Sequence, residues 1–339
     1  MTDSQTSNYN KNKKILKNKS EVFNLDESLM RKLIDPELLD NYDASTGFDL
    51  ENLEDFVPKL TKQEIQALKD DPDVNVYEKT IPGADGATDI KLRIYEPAKK
   101  EEGLLPCGLF FHGGGFLFGS VYRQNDMCLR FVKNIKMIVV SVEYRLAPKY
   151  KSPAPIEDAY TALLWLDKNG ESIGADRKRI AIMGLSAGGC ITAALALMAR
   201  DRKGPKPVIQ IPMYAMLDYR ADTVSQKAIT SRKVWCYDYS KISWAHYLDK
   251  TPDCYDSPSL AQDLSHLPPL FSFIGTLDPF YDENIEYWTR LMRAGVDVEY
   301  HIFPGRYHSF EIAVPESHYA KTAYGLMYSA LKRAFKIDI

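Results

Sequence analysis

At 339 residues with 45% hydrophobic side chains, the chain is long enough for one large α/β domain or two smaller ones with a substantial core. Its 43 basic and 46 acidic residues leave a net charge of −3, which provides no concentrated basic surface and argues against nucleic acid as a partner. The cysteines at 107, 128, 190, 236 and 254 form no CxxC pair and have no histidine at ligand spacing, which argues against a zinc site and a disulfide framework.

The chain opens on a polar stretch followed by a run holding Lys11, Lys13, Lys14, Lys17 and Lys19, without the apolar segment of a secretory signal. No later stretch approaches the roughly 18 apolar residues of a membrane span. The expectation is a soluble, cytoplasmic protein whose residues 1–20 form a disordered tail. Helical patterns such as Ser28-Leu29-Met30-Arg31-Lys32-Leu33-Ile34 then fill the stretch from Asp26 to Leu68.

From residue 74 onward, strand-like and helix-like runs alternate, the pattern of an α/β sheet. Strands are expected at Val74–Ile81, Ile90–Tyr95, Cys107–Phe111, Met137–Glu143, Arg179–Met183, Val208–Ile211, Leu270–Ile274 and Val298–Phe303. The first two are joined by the turn-rich Pro82-Gly83-Ala84-Asp85-Gly86. Helices are expected near 155–169, 187–200, 281–294 and 317–335. Tyr214 to Gln262 interrupts this alternation with Trp235, Tyr237, Tyr239, Trp244, Tyr247 and Tyr255. Together with the N-terminal helical stretch it is read as a cap over the C-terminal edge of the sheet, where ligand sites of α/β proteins form. The expected organisation is a tail over 1–20, cap segments over 21–70 and 214–255, and a core over 71–213 and 256–339.

Two stretches carry chemistry. In Gly184-Leu185-Ser186-Ala187-Gly188-Gly189 a serine stands among small residues directly after a strand, the arrangement a sharp strand-to-helix turn needs to expose a nucleophilic hydroxyl. In His112-Gly113-Gly114-Gly115-Phe116 a glycine run follows another strand, where bare N–H groups can approach a ligand oxygen. Gly113, Gly114 and Ala187 are thus candidate donors to a developing oxyanion.

These motifs, in order and with Tyr144-Arg145-Leu146-Ala147-Pro148 and Pro153-Ala154-Pro155-Ile156-Glu157-Asp158-Ala159 between them, resemble the hormone-sensitive-lipase family of α/β-hydrolases over roughly residues 70–335. The resemblance implies an α/β-hydrolase fold, a mostly parallel eight-stranded sheet with a helical cap. It also implies a catalytic triad in the chain order Ser, Asp or Glu, His. Gly305-Arg306-Tyr307-His308-Ser309-Phe310 resembles the family's late Gly-x-x-His-x-Phe and assigns the base to His308, while His112, His246, His266, His301 and His318 are read as structural or solvated. The acid is assigned to Asp278, at the end of the strand Leu270–Ile274, and Asp282 is read as a helix N-terminal charge. Arg145 and Asp158 are read as a structural ion pair, and Cys190 as packing. Leu185 departs from the Asp or Thr more usual in the family, which bears on the subfamily but not on the nucleophile.

The expected function is that of a serine carboxylesterase for short-chain esters. Ser186 attacks, His308 moves the proton, Asp278 orients His308, and no metal or organic cofactor takes part. Ser186 and His308 are expected in exposed loops. Phe116, Phe118, Met216 and Leu217 are the expected substrate-binding residues, narrowing the acyl pocket. The partner is a small-molecule ester, and nothing in the pattern excludes a homodimer. A deacetylase or amidase acting on acetylated sugars or natural products is the alternative with the same triad. A small-molecule receptor of the same fold would have lost the base, and the intact His308 argues against it.

Overall fold

A computed structural model describes residues 24–50, 60–68, 71–84, 86, 88–99 and 102–337, so the expected tail over 1–20 lies outside the described residues. The strands are β1 (Val74–Pro82), β2 (Asp89–Pro97), β3 (Leu105–Phe111), β4 (Ile138–Glu143), β5 (Ala175–Leu185), β6 (Ile209–Met213), β7 (Leu270–Leu277) and β8 (Val298–Tyr307). They form one sheet in the order β1-β2-β4-β3-β5-β6-β7-β8. β1 pairs antiparallel with β2 and β2 with β4, and every later pairing is parallel. Ile138 to Val142 of β4 and Ile180 to Leu185 of β5 are continuously buried, as strands covered by helices on both faces must be.

The helices are α1 (Glu27–Leu33), α2 (Leu39–Ala44), α3 (Lys62–Ala67), α4 (Asn125–Ile135), α5 (Ala154–Asn169), α6 (Ala187–Asp201), α7 (Val224–Ala228), α8 (Tyr237–Tyr247), α9 (Tyr281–Arg293), α10 (Phe310–Ala313) and α11 (His318–Phe335). The expected strands and the four long helices all appear, and most strands run one to four residues further than the apolar pattern alone indicates. Helix α4 was not among the expected elements. It is the crossover that a parallel β3–β4 pair requires, and Met127, Cys128, Phe131, Val132 and Ile135 form its buried stripe at helical spacing.

Strand order reverses at one point. β3 is followed in the sheet by β4 on one side and β5 on the other, so the loops leaving β3 and β5 diverge and open a crevice at their C-terminal ends. Phe111, the last residue of β3, pairs with Gly184, so His112-Gly113-Gly114 and Ser186 emerge side by side. The N-terminal helices and the 224–247 segment meet over this edge. Leu25 bridges Ile229, Tyr42 Oη lies 2.7 Å from Ser231 Oγ, Ser45 Oγ donates to the Lys233 carbonyl, and Phe48 N–H donates to Tyr239 Oη at 3.0 Å.

Two glycines make the β5–α6 turn sterically feasible. A Cβ on Gly184 would stand 2.3 Å from the Gly188 carbonyl oxygen, and one on Gly188 would stand 2.1 Å from that of Phe111. Gly188→Ala is therefore expected to lower stability by about 3 kcal/mol or more, since the obstacle is backbone and cannot rotate away. Gly325, exposed in α11 with nothing within 4 Å of its added Cβ, should show the opposite sign. Gly325→Ala is expected to raise stability by about 0.5–1 kcal/mol, both changes being read from denaturant unfolding midpoints.

Candidate active site

Ser186 occupies the first position of the turn into α6 with φ 57° and ψ −117°, a backbone conformation a serine adopts only when its surroundings impose it. Three hydrogen bonds impose it: Ser186 N–H donates to the Met213 carbonyl at 3.0 Å, and the Ser186 carbonyl accepts from Cys190 N–H at 3.0 Å and Met216 N–H at 3.1 Å. The turn aims Oγ at His308, whose Nε2 lies 3.0 Å away. His308 Nδ1 lies 2.8 Å from Asp278 Oδ2. An ionised carboxylate can only accept, so Nδ1 carries the ring proton and Nε2 is left to accept the serine hydroxyl.

Strand register explains why residues so far apart in sequence meet. Leu277 of β7 pairs with Tyr307 of β8, so Asp278 and His308 are the next residues on adjacent strands. Asp278 is held in turn by the Phe280 N–H, which donates to Oδ1 at 2.9 Å. Asp282 points elsewhere and accepts the Ser225 N–H at 2.7 Å. The sequence places Ser186 and His308 in exposed loops, but the structure buries both, at 3% and 9% exposure. Tyr214, Phe280 and Trp235 surround the imidazole with ring centroids 4.9, 5.1 and 6.1 Å away, which is what closes the site.

Opposite the serine, the glycine loop is fixed from behind. Tyr144 Oη donates to the His112 carbonyl at 2.7 Å and its ring stacks on the imidazole at 4.2 Å, while Ala147 N–H donates to the Phe116 carbonyl at 2.9 Å. The next residue, Arg145, pairs with buried Asp158 through Nη2 at 2.7 Å and through its own N–H at 2.9 Å, the structural ion pair expected there. Burial lowers the His112 pKa to about 4, so this ring is neutral and braces the loop through its 2.8 Å contact with the Gly113 carbonyl. Among the described residues, the N–H groups of Gly113, Gly114 and Ala187 donate to no carbonyl or side chain. Ala187 is also the first residue of α6, where the helix dipole favours negative charge.

A cavity of about 300 Å³ opens onto Ser186 and His308, with Gly113, Gly114 and Leu185 on its floor. Phe48, Phe118, Trp235 and Ile312 supply its apolar wall. Phe48 stacks on Phe118 at 5.7 Å and meets Trp235 edge-on at 5.6 Å, which ties the wall together from three segments of chain. Of the four expected substrate-binding residues, only Phe118 lines this cavity. Phe116 is fully buried and stacked on Tyr247 at 4.0 Å. Met216 and Leu217 are also fully buried, with their N–H groups engaged by the Ser186 carbonyl and the Glu283 carboxylate. Met216 and Leu217 belong to the segment after β6 that holds the serine turn, and Phe116 is packed where the glycine loop accepts the Ala147 N–H, so all three side chains face the interior. Phe48 and Ile312 carry no motif and were not singled out by sequence, since only the packing of distant segments brings them to the wall.

The histidine loop is anchored from the N-terminal segment. Buried Arg306 pairs with Asp35 at 2.9 Å and lies 3.5 Å from Glu37, Asp35 N–H donates to the Gly305 carbonyl at 3.0 Å, and Tyr307 Oη donates to Asn41 at 2.7 Å.

Fold, strand order and site geometry together define an α/β-hydrolase, and residues 108–312 match the family described as alpha/beta hydrolase fold. The chain belongs to this family, in its hormone-sensitive-lipase-like branch. It is 37% identical over 276 residues to carboxylesterase NlhH of Mycobacterium tuberculosis, covering 78% of this chain and 84% of that one. It is 34% identical over 286 residues to esterase LipI of the same organism, covering 79% and 85%. Among solved structures, a bacterial heroin esterase superposes with a TM-score of 0.82 at 32% identity, covering 90% of this chain and 98% of that one.

Because Arg306 is fully buried, removing its nearer carboxylate leaves a charge with poor compensation. Asp35→Ala is expected to cost about 1–3 kcal/mol, visible as a lower unfolding midpoint.

Proposed function

We propose that this chain is a serine carboxylesterase acting on short-chain esters through an acyl-enzyme. The observation that carries the reading is the continuous line from Asp278 through His308 to Ser186, with links of 2.8 and 3.0 Å, ending at a cavity floored by unengaged N–H groups. Similarity to proteins named carboxylesterase and esterase supports the same reaction class.

The ester carbonyl lies against Gly113, Gly114 and Ala187. Ser186 Oγ attacks it as His308 Nε2 takes the hydroxyl proton, and the carbonyl π electrons move onto an oxyanion held by the three N–H groups. Asp278 stabilises the imidazolium without taking its proton. The tetrahedral species collapses, the alkoxide leaves with the proton from Nε2, and an acyl-Ser186 ester remains. Water then repeats the sequence and frees the carboxylic acid. The described residues of the cap expected over 21–70 and 214–255 supply Phe48 and Trp235 to the wall, which keeps bulk water from the imidazolium.

Ser186→Ala and His308→Ala are each expected to lower kcat by on the order of 10⁴-fold or more against 4-nitrophenyl acetate, with Asp278→Asn somewhat less severe. Asp282→Asn should leave kcat within about 3-fold of the wild type, because its carboxylate serves Ser225 and not the imidazole. Turnover by a folded Ser186→Ala protein rules the reading out.

Cavity size sets chain length. Each methylene that fits adds roughly 0.8 kcal/mol of binding, and each that does not costs about 1–3 kcal/mol of distortion. The aromatic wall therefore favours acyl groups of about two to six carbons, with a steep fall in kcat/KM beyond about eight. Phe48→Ala, which opens that wall, should move the optimum toward longer chains in a 4-nitrophenyl ester series from acetate to palmitate. An optimum at about twelve carbons or more in the wild type would mark a tunnel and a lipase instead.

A further inference from the structure

The three residues after His308 turn back under it. Phe310 and Glu311 open α10 and are fully buried, and Glu311 has no ion-pair partner among the described residues. Its Oε1 accepts a short hydrogen bond from Tyr214 Oη, while Oε2 is buried with no hydrogen-bond partner. Tyr214 is the residue after β6, next to the Met213 whose carbonyl holds the Ser186 N–H, and it carries a strained φ of 33°. Its ring meets the His308 imidazole edge-on, 4.9 Å between centroids at 77°. A carboxyl group placed at such cost behind a histidine, and used by neither the serine nor the cavity, calls for a role.

We propose that Glu311 is a positioning residue of the hydrolase site, acting on His308 through the Tyr214 ring and through its own charge in the closed space it shares with Asp278. The proposal rests on the serine-hydrolase reading given above. Oε1 can accept from Tyr214 whether or not the carboxyl is ionised, so the ring is held against the imidazole in both states. The unpartnered Oε2 is where the proton of the neutral form resides. When that proton leaves, a second negative charge joins Asp278 near the imidazole and favours the positive charge that His308 acquires as it takes the serine proton.

The groups facing Glu311 allow this charge to be felt. They are Tyr214 from the end of β6, whose ring lies against His308, Asp278 from the end of β7 and Tyr324 from α11, none of them a permanent cation. Arg130 of α4 lies over the Tyr324 ring at 5.3 Å, is committed to Glu316 at 3.5 Å and acts on Tyr324 together with Asp126. Burial, with Asp278 adding to it and the Tyr214 hydrogen bond opposing it, pushes the Glu311 carboxyl up to about 7. Glu311 is therefore neutral on the acid side of that value and ionised on the alkaline side, and the rate enhancement it supplies is present only above it.

The test is the pH dependence of kcat/KM for 4-nitrophenyl acetate, with the full chain, between about pH 5 and 9. The wild type should show two inflections, the upper one belonging to Glu311. Glu311→Gln keeps an acceptor for Tyr214 but cannot ionise, so it should lose the upper inflection. Its alkaline plateau should fall by on the order of 3- to 10-fold while its rate at about pH 5.5 matches the wild type. Tyr214→Phe removes the hydrogen bond that favours the carboxylate and should move the upper inflection to higher pH, which keeps the proposal testable if Glu311→Gln fails to fold. A Glu311→Gln profile of the same shape as the wild type, or a Tyr214→Phe profile with no displacement, overturns it. Should the protein turn over no ester at all, the esterase reading fails separately. The His308 ring-carbon resonance, followed by NMR titration in the resting wild type and Glu311→Gln, then decides the positioning role, a shared titration curve refuting it.

Discussion

The close approach of three backbones at Ser186 is the constraint on which the site depends. The carbonyl of Phe111 at the end of β3, the Gly184 segment of β5 and Gly188 in the first turn of α6 lie so near one another that added Cβ atoms would stand 2.1 and 2.3 Å from carbonyl oxygens. That compactness fixes the reversal at Ser186, and the strained φ it produces costs on the order of 1–3 kcal/mol. The remainder of the fold sustains that strain. Met213, Met216 and Cys190 bind the serine backbone on both sides. Buried Glu283 and Asn284 of α9 bind the N–H groups of Leu217 and Ala215, so the segment that carries Met216 is held from below. Burial raises the Glu283 carboxyl well above its ordinary value, which marks it as a structural acceptor deep in the packing.

The second determinant is register. Three pairings, Phe111 with Gly184, Leu185 with Met213 and Leu277 with Tyr307, bring neighbouring strand ends level: β3 with β5 to within one residue, β5 with β6, and β7 with β8. Each site residue is then the first one past a paired position: Ser186 beside Tyr214, and Asp278 beside His308. A slip of one residue in β7–β8 would move Asp278 away from the imidazole and turn alternate side chains to the other face of the sheet. The Arg306 cluster with Asp35 and Glu37 secures this register from outside, because Arg306 lies two residues before His308 and its partners lie in the N-terminal segment.

The apolar wall and the polar line answer different needs. In the proposed mechanism Asp278, His308 and Ser186 act through charge in a dry site, and Phe48, Phe118 and Trp235 supply an apolar wall to the cavity they open onto. The aromatic rings around His308 also limit its rotation, so that the imidazole keeps one nitrogen on Asp278 and the other on Ser186.

The features legible in the amino-acid order are local. Alternating apolar runs are read directly from side-chain periodicity, so the eight strands and the long helices α5, α6, α9 and α11 were legible. So were the glycines around Ser186 and after His112, because a tight turn restricts residue type at fixed spacing. Even α4, absent from the expected set, carries its signal in the spacing of Met127, Phe131 and Ile135. Everything that depends on how distant segments pack is settled by the folded chain. Phe116, Met216 and Leu217 are as apolar as Phe118, yet only Phe118 reaches the cavity, because side-chain direction after a turn follows backbone torsions that composition does not encode. The burial of Ser186 and His308 was equally illegible, since the rings that enclose them come from Phe48, Tyr214, Trp235 and Phe280. Glu311 belongs to no motif, and only the packing of α10 buries it against Tyr214.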